Sequence, residues 1–150
     1  MKKMLEKKPV FLPLIRELAR CYQSFEHASG RHIRMLGLTS CQFDIVVTLG
    51  NTEGMNFRDL CEKTLITKGT LTGVVDRLEE KGLVTRMPDE RDGRSQLVSL
   101  TAAGNVLFEE IFPAHLAYMA KMFAGVSEAE LLEMRQALVR MRQIFQSEVD

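Results

Sequence analysis

The tightest constraint on this chain is a run of local signals between Asn56 and Leu100. Asn56 can cap a short helix from Phe57 to Thr64, and Thr67 can cap a second that runs to Lys81 and stops at Gly82. Two short helices joined by so brief a turn form a helix-turn-helix. Behind them, Leu83 to Met87 and Gln96 to Leu100 partly alternate apolar with polar residues. They flank a charged, glycine-containing stretch, Pro88 to Ser95, and together read as a two-stranded hairpin with a long tip. A hairpin directly behind a helix-turn-helix is a wing, so residues 39–100 are expected to form a winged helix-turn-helix.

The flanks are helical. From Pro13 to about Leu36, Leu14, Leu18, Cys21 or Tyr22, Phe25, Ala28, His32 or Ile33, and Leu36 recur at the spacing of an amphipathic helix, which Gly37 ends. Thr39 and Gln42 make a capping box that opens a helix through Leu49, and residues 50–54 read as a loop. Thr101 can cap a helix to about Phe123, with a kink expected at Pro113. Ser127 and Glu130 form another capping box, opening a last helix with Leu131, Met134, Leu138, Met141 and Phe145 along one face. So small a winged domain offers that stripe few partners, which points to a homodimer. The expected fold is mainly α with a small β-hairpin wing, as one domain over 1–150. Residues 39–100 would form the DNA-binding part, and 9–37 with 101–147 a helical dimerisation part.

Composition removes several other classes. Apolar residues make up 45% and charged residues 27%, which excludes disordered and fibrous chains. The stretch Val10 to Ile15 is too short for a secretory leader and contains Pro13, and no window approaches a membrane span, so a cytoplasmic protein with no membrane partner is expected. Cys21, Cys41 and Cys61 are odd in number and lack CxxC spacing, against a disulfide framework or a structural zinc. His27 and His32, five apart, face different sides of a helix and His115 stands alone, so no metal site and no cofactor are expected. No hydrolase, kinase or dinucleotide motif occurs; Gly69 to Gly73 lacks both a preceding strand and the GK[ST] ending of a phosphate loop, so the chain reads as no enzyme. Net charge is zero, and residues 58–94 hold eight basic and eight acidic residues. Any affinity for nucleic acid must come from how the charges are arranged.

That arrangement centres on the second helix of the helix-turn-helix. Leu71, Val74, Val75 and Leu78 share its inner side, leaving Gly69, Thr70, Thr72, Gly73, Asp76 and Arg77 opposite. Interior glycines cost a helix about 1 kcal/mol each relative to alanine, so an outward pair suggests a partner that approaches the backbone closely. Duplex DNA is such a partner. Thr67, Thr70 and Thr72 can meet phosphates or base edges, Lys68 and Arg77 phosphates, and the helix N-terminus adds its positive end. Packing of the glycines against another helix is the alternative. On the wing, Arg91 and Arg94 suit a narrow minor groove, and Asp92 can orient the Arg94 guanidinium through a bidentate pair.

The stretch TLITKGTLTGVVDRLEEKGLVTRMPDERDGRSQLVSLTAAG resembles the recognition helix and wing of the MarR family of bacterial regulators. VDRLEEKGLV followed by DERDGRSQLVSLT is specific in combination, and the similarity extends over nearly the whole chain. The resemblance implies a triangular homodimer in which the first, fifth and sixth helices interlock, with an effector cleft between the dimerisation and DNA-binding parts. It also implies that Arg94 enters the minor groove with Asp92 as its carboxylate partner, and that the effector is a small aromatic or phenolic acid. Arg31, His32 and Arg34 are candidates to meet such a carboxylate, although a plain polar helix end is the favoured reading of them. Peroxide-sensing members carry their cysteine at a position near Leu18 here, one turn before Cys21, so Cys21 is only a displaced redox candidate. The function expected is a sequence-specific regulator, a repressor on a pseudo-palindromic operator, released by a small molecule. A thiol-based redox regulator and a winged-helix protein-protein module without DNA binding remain the alternatives.

Overall fold

A computed structural model describes residues 8–147, and the basic run at residues 1–7 lies outside it. Local chemistry places most of the elements. The Thr39 hydroxyl accepts from the Gln42 N–H at 3.2 Å while the Gln42 side chain accepts from the Thr39 N–H at 3.1 Å, closing the capping box that opens α2 (Ser40–Leu49). Before it, α1 (Phe11–Met35) begins two residues earlier than Pro13, and Gly37 takes φ of +83° behind its end. Asn56 caps α3 (Phe57–Thr64) by accepting from the Asp59 N–H at 2.8 Å. Then α4 (Lys68–Glu80) ends before Gly82, where φ is +72°. Between α3 and α4 the turn forces Leu65 into the left-handed region at φ +59°, with its side chain 88% exposed, while the next residue, Ile66, is buried.

The chain divides into two compact units, Met1–His115 and Leu116–Asp150. In the first, Ile45, Val46, Leu60, Leu71, Val75, Leu78 and Val98 are fully buried in one cluster. Each such side chain withdraws about 1.5–3 kcal/mol of apolar surface from water. The inner face of α4 is the one expected, since Leu71, Val74, Val75 and Leu78 all belong to that cluster.

The mainly α fold with a small β wing is what the structure shows, with differences in the sheet. A short strand β1 (Met55–Asn56) adds to the hairpin β2 (Val84–Asp89) and β3 (Asp92–Leu100), giving an antiparallel sheet in the order β1-β3-β2. Met55 pairs with Val98, so a strand absent from the sequence reading directly follows the expected loop at residues 50–54. The hairpin strands also run further than expected. Pairing continues to Asp89 and Asp92, with an irregularity between Pro88 and Asp89, and most of the supposed long tip is ladder. Backbone pairing tolerates this polar stretch because both side-chain faces of a protruding hairpin meet water.

The helix α5 (Ala102–Met122) continues through Pro113. Gly104 lets it lie against the wing, since a Cβ there would sit 2.0 Å from the Leu83 carbonyl oxygen. In the second unit, α6 (Glu128–Gln146) opens with the Ser127–Glu130 capping box and buries none of its residues within the chain. Leu131, Met134, Leu138 and Phe145 are all exposed. Among the described residues, no helix is long and apolar enough to cross a membrane.

Candidate nucleic-acid interface

The outer side of α4 and the wing tip carry the residues singled out from sequence. Thr67, Lys68, Gly69, Thr70, Thr72 and Arg77 are exposed and Gly73 is half-buried. A Cβ built on Gly69 or Gly73 would meet nothing within 4 Å, so neither glycine is required by packing inside the chain. Thr67 makes no capping hydrogen bond with its side chain; its hydroxyl donates to Thr70 Oγ1 at 3.2 Å. Thr72 donates back to the Lys68 carbonyl at 3.3 Å. The first turn of α4 holds no acidic residue, which leaves the positive end of the helix without a counter-charge of its own.

At the wing tip Arg91, Asp92 and Arg94 are exposed. Asp92 is used differently from expectation: its Oδ1 accepts the Arg94 backbone N–H at 3.1 Å instead of pairing with the guanidinium. Asp89 does the same for the Arg91 N–H at 2.9 Å. Two residues of separation favour this local turn, because a short carboxylate reaches its neighbour's N–H more readily than a long flexible side chain returns to it. Among the described residues Lys68, Arg77, Arg91 and Arg94 have no carboxylate within ion-pair distance, so these charges face outward uncompensated.

Sequence reasoning missed Arg86. Its side chain is 20% exposed, leaves β2 toward α4, pairs with Asp76, and places Nε 3.5 Å from Glu79 Oε2. The guanidinium also lies over the Phe57 ring, 5.8 Å from its centroid. Asp76 is exposed, as the helical wheel placed it, yet its carboxylate is turned to Arg86 of the wing. The one available signal was a lone arginine in a strand that otherwise alternates toward the core.

The residues singled out for sensing do not converge. Cys21 is exposed on α1, Arg31 is exposed and contacts His27 at 3.1 Å, and Arg34 lies exposed near Gly30. His32 instead meets His115, 83 positions away, with Nδ1 to Nδ1 at 2.9 Å and the rings 5.2 Å apart. His115 is buried, lies 3.2 Å from Ser29 Oγ through Nε2, and packs edge-on to Phe43. The reading of His115 as a residue standing alone is corrected by this pairing. Burial, then the neighbouring His32, hold the His115 pKa below its ordinary value. A separate groove of about 450 Å³ runs between α1, α2 and the turn into α4, with Tyr22, Phe25, Glu26, Asp44 and Thr70 in its walls. Tyr22 donates to Glu26 at 2.8 Å. Burial and the Glu26 charge raise the Asp44 carboxyl, and burial with Asp44 raises the Cys41 thiol.

Three comparisons bear on this arrangement. The family model described as the MarR family matches residues 38–96, the helix-turn-helix and most of the wing. The HTH-type transcriptional regulator MhqR of Bacillus subtilis is 32% identical over 120 residues, spanning 80% of this chain and 83% of MhqR. Among solved structures, AbsC, a MarR family transcriptional regulator from Streptomyces coelicolor, superposes with a TM-score of 0.82 at 24% identity, covering 94% of this chain and 97% of AbsC. BpsR of Bordetella bronchiseptica, whose DNA binding is regulated by 6-hydroxynicotinic acid, superposes with a TM-score of 0.75 at 28% identity, covering 87% of this chain and 98% of BpsR. The proteins it resembles are transcriptional regulators rather than enzymes. With the helix-turn-helix and wing matched by the family model and a curated relative matched along most of its length, this chain belongs to the MarR family of transcriptional regulators.

Proposed function

We propose that this protein is a homodimeric, sequence-specific DNA-binding repressor of the cytosol whose grip on its operator is released by a small aromatic molecule. The observation that carries the reading is the outer face of α4, where Lys68, Thr70 and Thr72 surround two glycines with open space above them. Beside it stands a wing whose Arg91 and Arg94 project unpaired. Thr67, Lys68, Gly69, Thr70, Thr72, Gly73 and Arg77 then address the major groove and its phosphates, while Arg91 and Arg94, shaped by the Asp92 turn, address the minor groove. Residues 39–100 form the DNA-binding part, and 9–37 with 101–147 the dimerisation part. The exposed apolar side chains of α1 and, separately, of α6 supply surface for a second copy.

The effector class is carried over from BpsR, which 6-hydroxynicotinic acid regulates. In this chain the groove beside Phe25 suits a ring, and its carboxylates Glu26 and Asp44 suit a phenolic hydroxyl donor better than an acid group. A thiol switch at Cys41 is disfavoured, because a raised thiol pKa lowers the thiolate fraction that reacts.

Selection of bound duplexes from a random pool tests the proposal. The enriched sequence is expected to be an inverted repeat with half-site centres roughly 34 Å apart, one helical turn. Enrichment of direct repeats contradicts the dimer geometry, and no enrichment at all favours a winged-helix module that binds protein.

A further inference from the structure

The DNA reading needs two elements in the correct relation, α4 in the major groove and the wing in the minor groove. Arg86 is the side chain that joins them. It stands on β2 opposite Val98, at the base of the wing. From there its guanidinium reaches Asp76 and Glu79, three apart and so neighbours on one face of α4, and covers Phe57 at the start of α3. The arginine is largely withdrawn from solvent, at 20% exposure, whereas its partners are 51% and 46% exposed. A planar fork on a paired strand therefore faces two more exposed carboxylates, with an aromatic ring behind it limiting its rotation.

We propose that Arg86 is a positioning residue for DNA recognition, locking the recognition helix and the wing into one reading head so that both grooves are engaged together. The inference rests on the DNA-binding reading. Arg86 touches no base in this account. It sets the spacing between groups that do, and so governs the ratio of operator to random affinity more than affinity as such. Its positive charge also cancels Asp76 and Glu79 beside the DNA-facing surface, and a test must separate that contribution from the geometry.

Arg86→Lys makes the separation, because it keeps the charge but cannot serve two carboxylates as a fork while lying over Phe57. Fluorescence anisotropy is read on a duplex selected by the wild type and on a random duplex of equal length, across a series of salt concentrations. The expected result is a tenfold or greater loss of affinity for the selected duplex, with random-duplex affinity and the salt slope changed less than twofold. Asp76→Asn, which leaves Arg86 in place, is expected to lower the same ratio and serves if Arg86→Lys fails to fold. Hydrogen exchange supplies a readout independent of DNA: amides of Val84 to Met87 should exchange at least fivefold faster in Arg86→Lys, with those of α6 unchanged. An operator-to-random ratio within twofold of wild type in the folded variants overturns the proposal. Equal loss on both duplexes, which would mean general weakening with no change in how the two grooves are matched, overturns it too, as does unaltered exchange in β2. If the wild type binds neither duplex, the DNA reading fails, and the exchange measurement still decides whether Arg86 holds the wing.

Discussion

Replacing Gly73 by alanine should make the protein more stable and a worse DNA binder, an opposition that separates a functional glycine from a structural one. Gly73 lies in the interior of α4, where glycine costs about 0.8–1 kcal/mol relative to alanine. The new methyl meets no atom within 4 Å, so the propensity gain is not offset by a clash. For a chain of this size it corresponds to a rise of about 2–4 °C in Tm, measured at one fixed protomer concentration because the proposed dimer would add a concentration-dependent contribution. In the proposed DNA complex the same methyl stands where the backbone approaches the groove. A lost or displaced contact there is worth about 1–3 kcal/mol, a fall of roughly 5- to 150-fold in affinity for a selected duplex. Thermal unfolding and an anisotropy titration of the same preparation give both numbers. A higher Tm with wild-type affinity would refute the reasoning, since the glycine would then serve no approach. A lower Tm would refute the absence of a clash.

Gly104→Ala should act in the opposite sense on stability, costing about 3 kcal/mol or more, because its Cβ would lie 2.0 Å from a backbone oxygen that cannot step aside; denaturant unfolding checks this. The pH dependence of stability should carry the signature of His115. Its folded pKa lies below the ordinary 6.5, so the unfolded chain binds the proton more readily, and the stability it contributes is complete above about pH 6.5 and lost as pH falls below it. Urea titrations from pH 8 to 5 should show that loss in the wild type and a reduced one in His115→Gln. Leu138→Asp, which puts a charge on an exposed apolar face of α6, should convert dimer to folded monomer in light scattering, whereas a wild type already monomeric at micromolar concentration would contradict the dimer.

What was legible in the sequence is what short-range chemistry decides. The two capping boxes, the Asn56 cap, the glycine behind α4 and the buried stripe of that helix depend on neighbours within a turn or two. Strand β1 is two residues long and exists only because Met55 meets Val98, a pairing that no local pattern announces. The hairpin tip escaped because its paired residues are polar on both faces, so the ladder continues without the alternation that marks a half-buried strand. The wing aspartate was correctly placed but given the wrong partner, since the choice between a guanidinium and a backbone N–H turns on local dihedrals. His115 and Arg86 act over longer separations. A histidine 83 positions from its partner, or a strand arginine beneath a helix, reads in sequence as an isolated polar residue.

The central claim is that the unpaired cations of α4 and the wing grip a duplex, and the salt dependence of binding by wild type and Arg94→Ala tests it most directly. Each phosphate contact releases condensed counterions, so log K should fall linearly with log salt in the wild type, with a slope of about −0.9 per contact. Arg94→Ala should weaken binding to selected and random duplexes together and shrink that slope by about one contact, leaving the preferred sequence unchanged. A wild type that shows no salt-sensitive association with duplex, or an Arg94→Ala variant with wild-type affinity and slope, would contradict the account.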